Sequence, residues 1–165
     1  MTQGVSAFVL YYAGRYDDAI IQCKRSLEID PEYALTLEAL GLCYIQKSLF
    51  QEAIAALQKA VTFSGNNTEF LSYFAYAYVV SGNLEKANEI LTELDKLSQH
   101  VYVSKYYLAC VQAAMRNKDK AFESLESAYK ERDADLIYLK VDPKLAVLRS
   151  DPRFEMMLKK IGLEK

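Results

Sequence analysis

The chain has 165 residues, enough for about one domain with a sizeable core. Apolar residues make up 52% and charged residues 25%, with 6 Gly and 3 Pro, which excludes a disordered chain, a collagen and a disulfide scaffold. Lys plus Arg total 20 against 22 for Asp plus Glu, and the net charge of −2 gives no field to recruit nucleic acid or an anionic membrane. The first predicted helix begins almost at Met1 and ends at the turn Ala13-Gly14. A second follows and closes at Asp30-Pro31, where Pro suits entry to the next helix. The third runs about Ala34 to Lys47, with Leu37, Leu40, Gly41 and Tyr44 on one stripe, and its partner about Phe50 to Phe63. Gly65-Asn66-Asn67 and Ser81-Gly82-Asn83 mark the next turns, and Leu97 to His100 joins the third helix pair to the fourth. Asn66-Asn67-Thr68 also matches a glycosylation sequon, but it reads as a helix-start turn. Asp142-Pro143 and Asp151-Pro152 each pair a capping carboxylate with a Pro suited to a first helical position. Behind the second, Phe154, Met157, Leu158 and Ile161 form a short apolar stripe that ends at Gly162. A stripe so short cannot stand alone in water, so the closing segment is expected to dock on the last repeat as a cap.

The chain repeats itself. Ala19, Ala53, Ala87 and Ala121 stand 34 residues apart, and twelve residues before each come Ala7, Gly41, Ala75 and Ala109. Cys23, Leu57, Leu91 and Leu125 hold an apolar column in the same frame. Ser6, Leu40, Phe74 and Leu108 recur in the same phase, and after them Leu10, Tyr44, Tyr78 and Gln112. Small columns mark where two helix axes approach closely, and large ones fill the space between turns. Each unit is therefore two amphipathic helices with a short connection.

Leu40-Gly41-x-x-Tyr44, Ala53-x-x-x-Leu57, and Ala19 with Pro31 twelve residues later resemble the tetratricopeptide repeat, over residues 1 to about 132. The pattern departs from the family in lacking Trp, with Leu37 and Leu71 at the matching places, and its fourth unit carries Gln112 and Lys118 where large apolar residues are usual. The resemblance implies an all-α, right-handed solenoid of about four helix pairs, at residues 1–31, 32–65, 66–99 and 100–132, with a helical cap over 133–165. The string Tyr138-Leu139-Lys140-Val141-Asp142-Pro143, with Leu148 to Phe154 after it, is similar to the close of such arrays in bacterial multidomain regulators. Those carry a winged-helix, nucleotide-cyclase or kinase domain, so the chain reads either as the tail of that architecture or as a stand-alone protein.

Catalytic chemistry has few residues to stand on. The single His100 lies in a connection, no phosphate-cradling Gly motif occurs, and Asp17, Asp18, Glu52 and Glu85 fall at second-helix starts, where they favour the macrodipole. Cys23, Cys43 and Cys110 lack metal or redox spacing and read as buried small hydrophobes in a reducing compartment. The expectation is a non-enzyme with no cofactor and no metal. Arg116 to Lys120 and Lys159-Lys160 are small basic clusters with acids close by, so direct nucleic-acid binding is not expected. The longest uninterrupted apolar run is Tyr73 to Val80, too short for a membrane span, and the sequence reads as cytoplasmic.

In tetratricopeptide arrays the first helix of each unit lines a concave face that takes partners. The resemblance places Phe8, Tyr11, Leu35, Glu38, Leu42, Ile45, Tyr73, Tyr76, Val79, Tyr106, Tyr107 and Cys110 there. Read from the residues alone, this is a second apolar stripe rich in Tyr, of which the chain has 13. Such a stripe either binds a partner or is buried between repeats and under the closing segment. Tyr73, Tyr76, Tyr106 and Leu42 are the expected central anchors. The family's carboxylate-clamp subtype does not match, because Gly4, Phe8, Ala39, Glu69 and Tyr73 occupy its positions and Glu69 has the wrong sign. The reading is a protein-binding scaffold for an apolar or aromatic-rich peptide or protein. The alternative is self-association as a homodimer, or a sensor role within a larger signalling or transcription-regulating protein.

Overall fold

The computed structural model describes residues 3–163, with side chains from residue 6 onward; Met1, Thr2, Glu164 and Lys165 lie outside the described residues, and with them the outermost ends of the first unit and the closing segment. Among the described residues there are nine α-helices, two 3-10 helices and no strand. The helix pairs are α1 (Gln3–Tyr12) with α2 (Tyr16–Ile29), α3 (Ala34–Gln46) with α4 (Phe50–Phe63), α5 (Thr68–Val80) with α6 (Leu84–Leu97), and α7 (Lys105–Ala114) with α8 (Lys118–Lys130). The 3-10 helices η1 (Ala134–Tyr138) and η2 (Pro143–Leu148) precede α9 (Pro152–Lys160).

Packing follows the repeat columns. Ala7, Ala75 and Ala109 and the second small column Ala19, Ala53, Ala87 and Ala121 are all fully buried. In the second unit the first-helix position is Gly41, where a Cβ would lie 2.6 Å from Leu57 Cγ. Leu57 is itself fully buried, so the large residue of α4 rests directly on the backbone of α3. α1, α3, α5 and α7 each pack on the next and form an inner layer, while α2, α4, α6 and α8 pack on their own partners outside it.

Within each pair the chain reverses through the same closure. Gly14, Ser48, Gly82 and Arg116, again 34 apart, have φ of +73°, +60°, +87° and +63°. The amide of the following residue donates five residues back, to Leu10, Tyr44, Tyr78 and Gln112, closing a Schellman motif. The acceptor is a backbone carbonyl, which explains why Gln112 serves as well as Tyr in that column.

The closing segment departs from a simple end cap. α9 docks on α8, with Phe154, Met157 and Leu158 buried, and Arg153 lies 4.3 Å over the Phe122 ring. The part before it turns inward instead. Asp142-Pro143 opens a 3-10 helix rather than an α-helix, η2 packs on α7, and Leu139, Leu145 and Leu148 are fully buried. A carboxylate ties its entry down: Asp133 accepts from Tyr102 Oη (2.9 Å), Ser104 Oγ (2.6 Å) and the Asp135 amide (3.1 Å).

Candidate concave-face site

The inner helices wrap around the closing segment. Lys144 Nζ lies 2.9 Å from Asp142 Oδ2, and both side chains are wholly buried. The ammonium sits 5.4 Å from the ring centroid of Tyr11, 5.9 Å from Tyr12 and 5.0 Å from Tyr73, so rings from α1 and α5 hold it together. Tyr106 on α7 donates to Asp142 Oδ2 at 2.7 Å, and Asp142 Oδ1 accepts the Lys144 amide at 2.9 Å. Although burial opposes the charge, the Asp142 carboxylate raises the Lys144 pKa, so the ammonium stays charged. One ion pair thus brings α1, α5 and α7 onto η2.

This arrangement divides the expected groove residues. Tyr11, Leu42, Ile45, Tyr76, Val79, Tyr106 and Cys110 are buried. All four expected anchors, Tyr73, Tyr76, Tyr106 and Leu42, are buried. Phe8, Leu35, Glu38, Tyr73 and Tyr107 line a cavity of about 230 Å³ that opens to solvent beside the segment, although Glu38, Tyr73 and Tyr107 are themselves buried. Tyr12, Glu69, Asp135 and Tyr138 complete its wall. Glu69 carried a signal in the sequence, its sign being wrong for a carboxylate clamp. Asp135 and Tyr138 carried none, since no periodicity ties the closing segment to the inner face.

The cavity is built from two tyrosine pairs and three carboxyl groups. Tyr12 and Tyr138 stack at 4.6 Å and 6°, closing the N-terminal end onto η1, and Tyr73 meets Tyr107 at 4.9 Å. Tyr107 Oη donates to Glu69 Oε1 at 2.8 Å. Glu38 is 1% exposed, and its Oε2 has no hydrogen-bond partner. Burial holds the Glu38 carboxyl well above the usual range, and Glu69 and Asp135 push it further while Lys144 opposes them. Glu69 and Asp135 are raised by burial in the same way and also face one another, although the Tyr107 hydroxyl favours both carboxylates. Among the described residues no group of His, Cys, Asp and Glu is disposed to hold a metal ion.

The remaining sequence candidates are placed elsewhere. Burial pushes the Cys23 and Cys43 thiols up to about 12 and raises the Cys110 thiol as well, leaving three unreactive small side chains. Asp17, Asp18, Glu52 and Glu85 lie in the first turns of α2, α4 and α6, and His100 is exposed. A larger depression of about 650 Å³ lies between α8 and α9, where Arg153 already pairs with Asp119 at 2.8 Å. No helix among the described residues is long and apolar enough to cross a membrane.

Residues 1–134 match the family model described as the Psidin N-terminal TPR repeats region. The chain belongs to that family. The match covers the tetratricopeptide repeat (TPR) array and ends where the closing segment begins, so the array is the family feature. TPR arrays are in general non-catalytic, and protein interaction is the coarse function that the family gives this one. Comparison with curated proteins gives no match.

Proposed function

We propose that this TPR array is a non-catalytic adaptor that holds a segment of a partner protein at the open part of its concave face, against Phe8, Leu35, Tyr73 and Tyr107. The observation that carries the reading is the cavity itself: apolar and aromatic side chains with a few polar groups, at the mouth of a face that already holds a chain segment, η1 and η2. The segment's own contacts support the reading: buried leucines, a hydroxyl-to-carboxylate bond and an ammonium among tyrosine rings. Tyr suits such a face because it offers large contact area and a hydroxyl at low entropic cost.

Leu35, 38% exposed at the cavity wall, allows a test that spares the core. Partners are captured from cell lysate with the native chain, with Leu35→Arg, and with Ile21→Arg, which alters an exposed residue of α2. Partners kept by the native chain and Ile21→Arg but lost by Leu35→Arg establish binding at this face. Identical sets from all three place any binding elsewhere and overturn the reading.

A further inference from the structure

The buried carboxyl of Glu38 calls for a ligand of particular chemistry. Its Oε2 is buried without a partner, and the side chain lines the cavity. An unpartnered buried acceptor costs free energy unless something supplies a donor. Glu69 and Asp135 face the same space, and Lys144, the cation that tempers all three, is already committed to Asp142. Three carboxyl groups, all raised by burial, thus share one cavity, and a cation bound among them would favour their ionised forms. Its walls include the rings of Tyr73, Tyr107 and Tyr138, and aromatic faces attract cations, while Tyr12 is already taken up by Tyr138 and Lys144. Tyr12 and Tyr73 already do so inside this molecule, for the ammonium of Lys144. The carboxyl groups do not converge as a metal site among the described residues, and the space of about 230 Å³ suits a larger, organic cation.

From these observations we infer that the cavity receives the side chain of a lysine carried by the partner segment, its ammonium bonded to Glu38 and flanked by the tyrosine rings as Lys144 is flanked on the neighbouring part of the face. This rests on the function proposed above only in taking the cation to be part of a polypeptide. The stem of the lysine contacts Leu35 and Phe8, and Glu69 and Asp135 supply charge at the mouth.

The test uses the full chain with 13C-labelled tyrosine rings and acetyl-Ala-Lys-Ala-amide as the probe. Norleucine and Nε-acetyl-lysine versions of the peptide supply the same stem without the charge. The lysine peptide is expected to bind in the millimolar range and to shift the Tyr107 and Tyr138 ring signals. The neutral peptides bind about tenfold more weakly or less, as loss of a cation–π and charge-assisted contact implies. Glu38→Gln and, separately, Glu69→Gln reduce lysine-peptide binding several-fold while the other ring signals show the fold intact. Equal binding of lysine and norleucine peptides overturns the inference and leaves an apolar docking face, as the proposed function alone requires. No binding by any peptide overturns it too, and partner capture lost in Leu35→Arg then keeps the broader function standing. Tighter binding of free n-butylammonium than of the peptide overturns the assignment of the cation to a polypeptide.

Discussion

Glu38 is the residue at which stability and binding pull in opposite directions. Burial is the main cause of its raised pKa, with Glu69 from α5 and Asp135 from η1 adding to it and Lys144 from η2 working against them; the ring facing it is Tyr73. The folded chain thus holds this proton more tightly than the unfolded chain does. The stability the group contributes is complete below the ordinary carboxyl value of 4.5 and is lost as the pH rises through the higher folded-state value. Glu38→Gln keeps the shape and removes the titration. It is expected to match the native chain in stability at pH 4 and to exceed it by about 1 kcal/mol at pH 8, measured by chemical denaturation. A variant no more stable than the native chain at pH 8 would show that the carboxylate is already compensated. Residues that stabilise when removed yet weaken binding are expected at functional sites, where the fold carries a cost that a ligand relieves.

At the scale of the element, the repeat makes one unit a control for another. The helix-reversing turns share one backbone path but not one chemistry. Gly82-Asn83 fits it fully, since glycine takes the positive φ without a Cβ clash and the Asn83 side chain accepts from the Lys86 amide at 3.1 Å. Ser48-Leu49 fits it poorly: Ser48 holds φ +60°, and Leu49 occupies the N-cap with no side-chain bond and is 39% exposed. The dihedrals at Leu49 and Asn83 agree, −90° and 68° against −91° and 75°, so the third unit's turn transfers directly. Ser48→Gly with Leu49→Asn is expected to raise stability by about 1–2 kcal/mol, seen as an upward shift of the thermal midpoint. No gain would mean that the αL strain or the missing cap is relieved elsewhere. This turn also shows where the sequence is silent. The core columns are legible because packing selects side-chain size, whereas the turn column holds Gly, Ser, Gly and Arg, because the requirement there falls on the backbone.

For the whole molecule, the helix pairs could be read from the 34-residue period and the path of the closing segment could not. Periodicity reports contacts that recur in every unit. Asp142, Lys144 and Tyr138 make contacts that occur once, so no column in the sequence announces them. Yet these contacts change how the array behaves. In an ordinary solenoid each repeat touches only its neighbours, and the terminal repeat frays on its own. Here Tyr138 stacks on Tyr12, Lys144 reaches Tyr11 in the first unit and Tyr73 in the third, and Asp142 accepts from Tyr106 in the fourth, so the closing segment ties the first unit to the third and fourth besides the contacts between neighbouring units. The amides of α1 should then owe part of their protection to η1. Tyr138→Ala removes a half-buried ring from the stack, leaving the Asp133 clamp and the Asp142–Lys144 pair in place. Native-state hydrogen exchange is expected to quicken about fivefold in α1, corresponding to an aromatic contact worth about 1 kcal/mol, with α6 and α8 little changed. Uniform acceleration across all helices would instead mean that the array opens as one cooperative unit. Acceleration confined to η1 would mean that α1 is held by α2 and α3 alone, as in a linear stack.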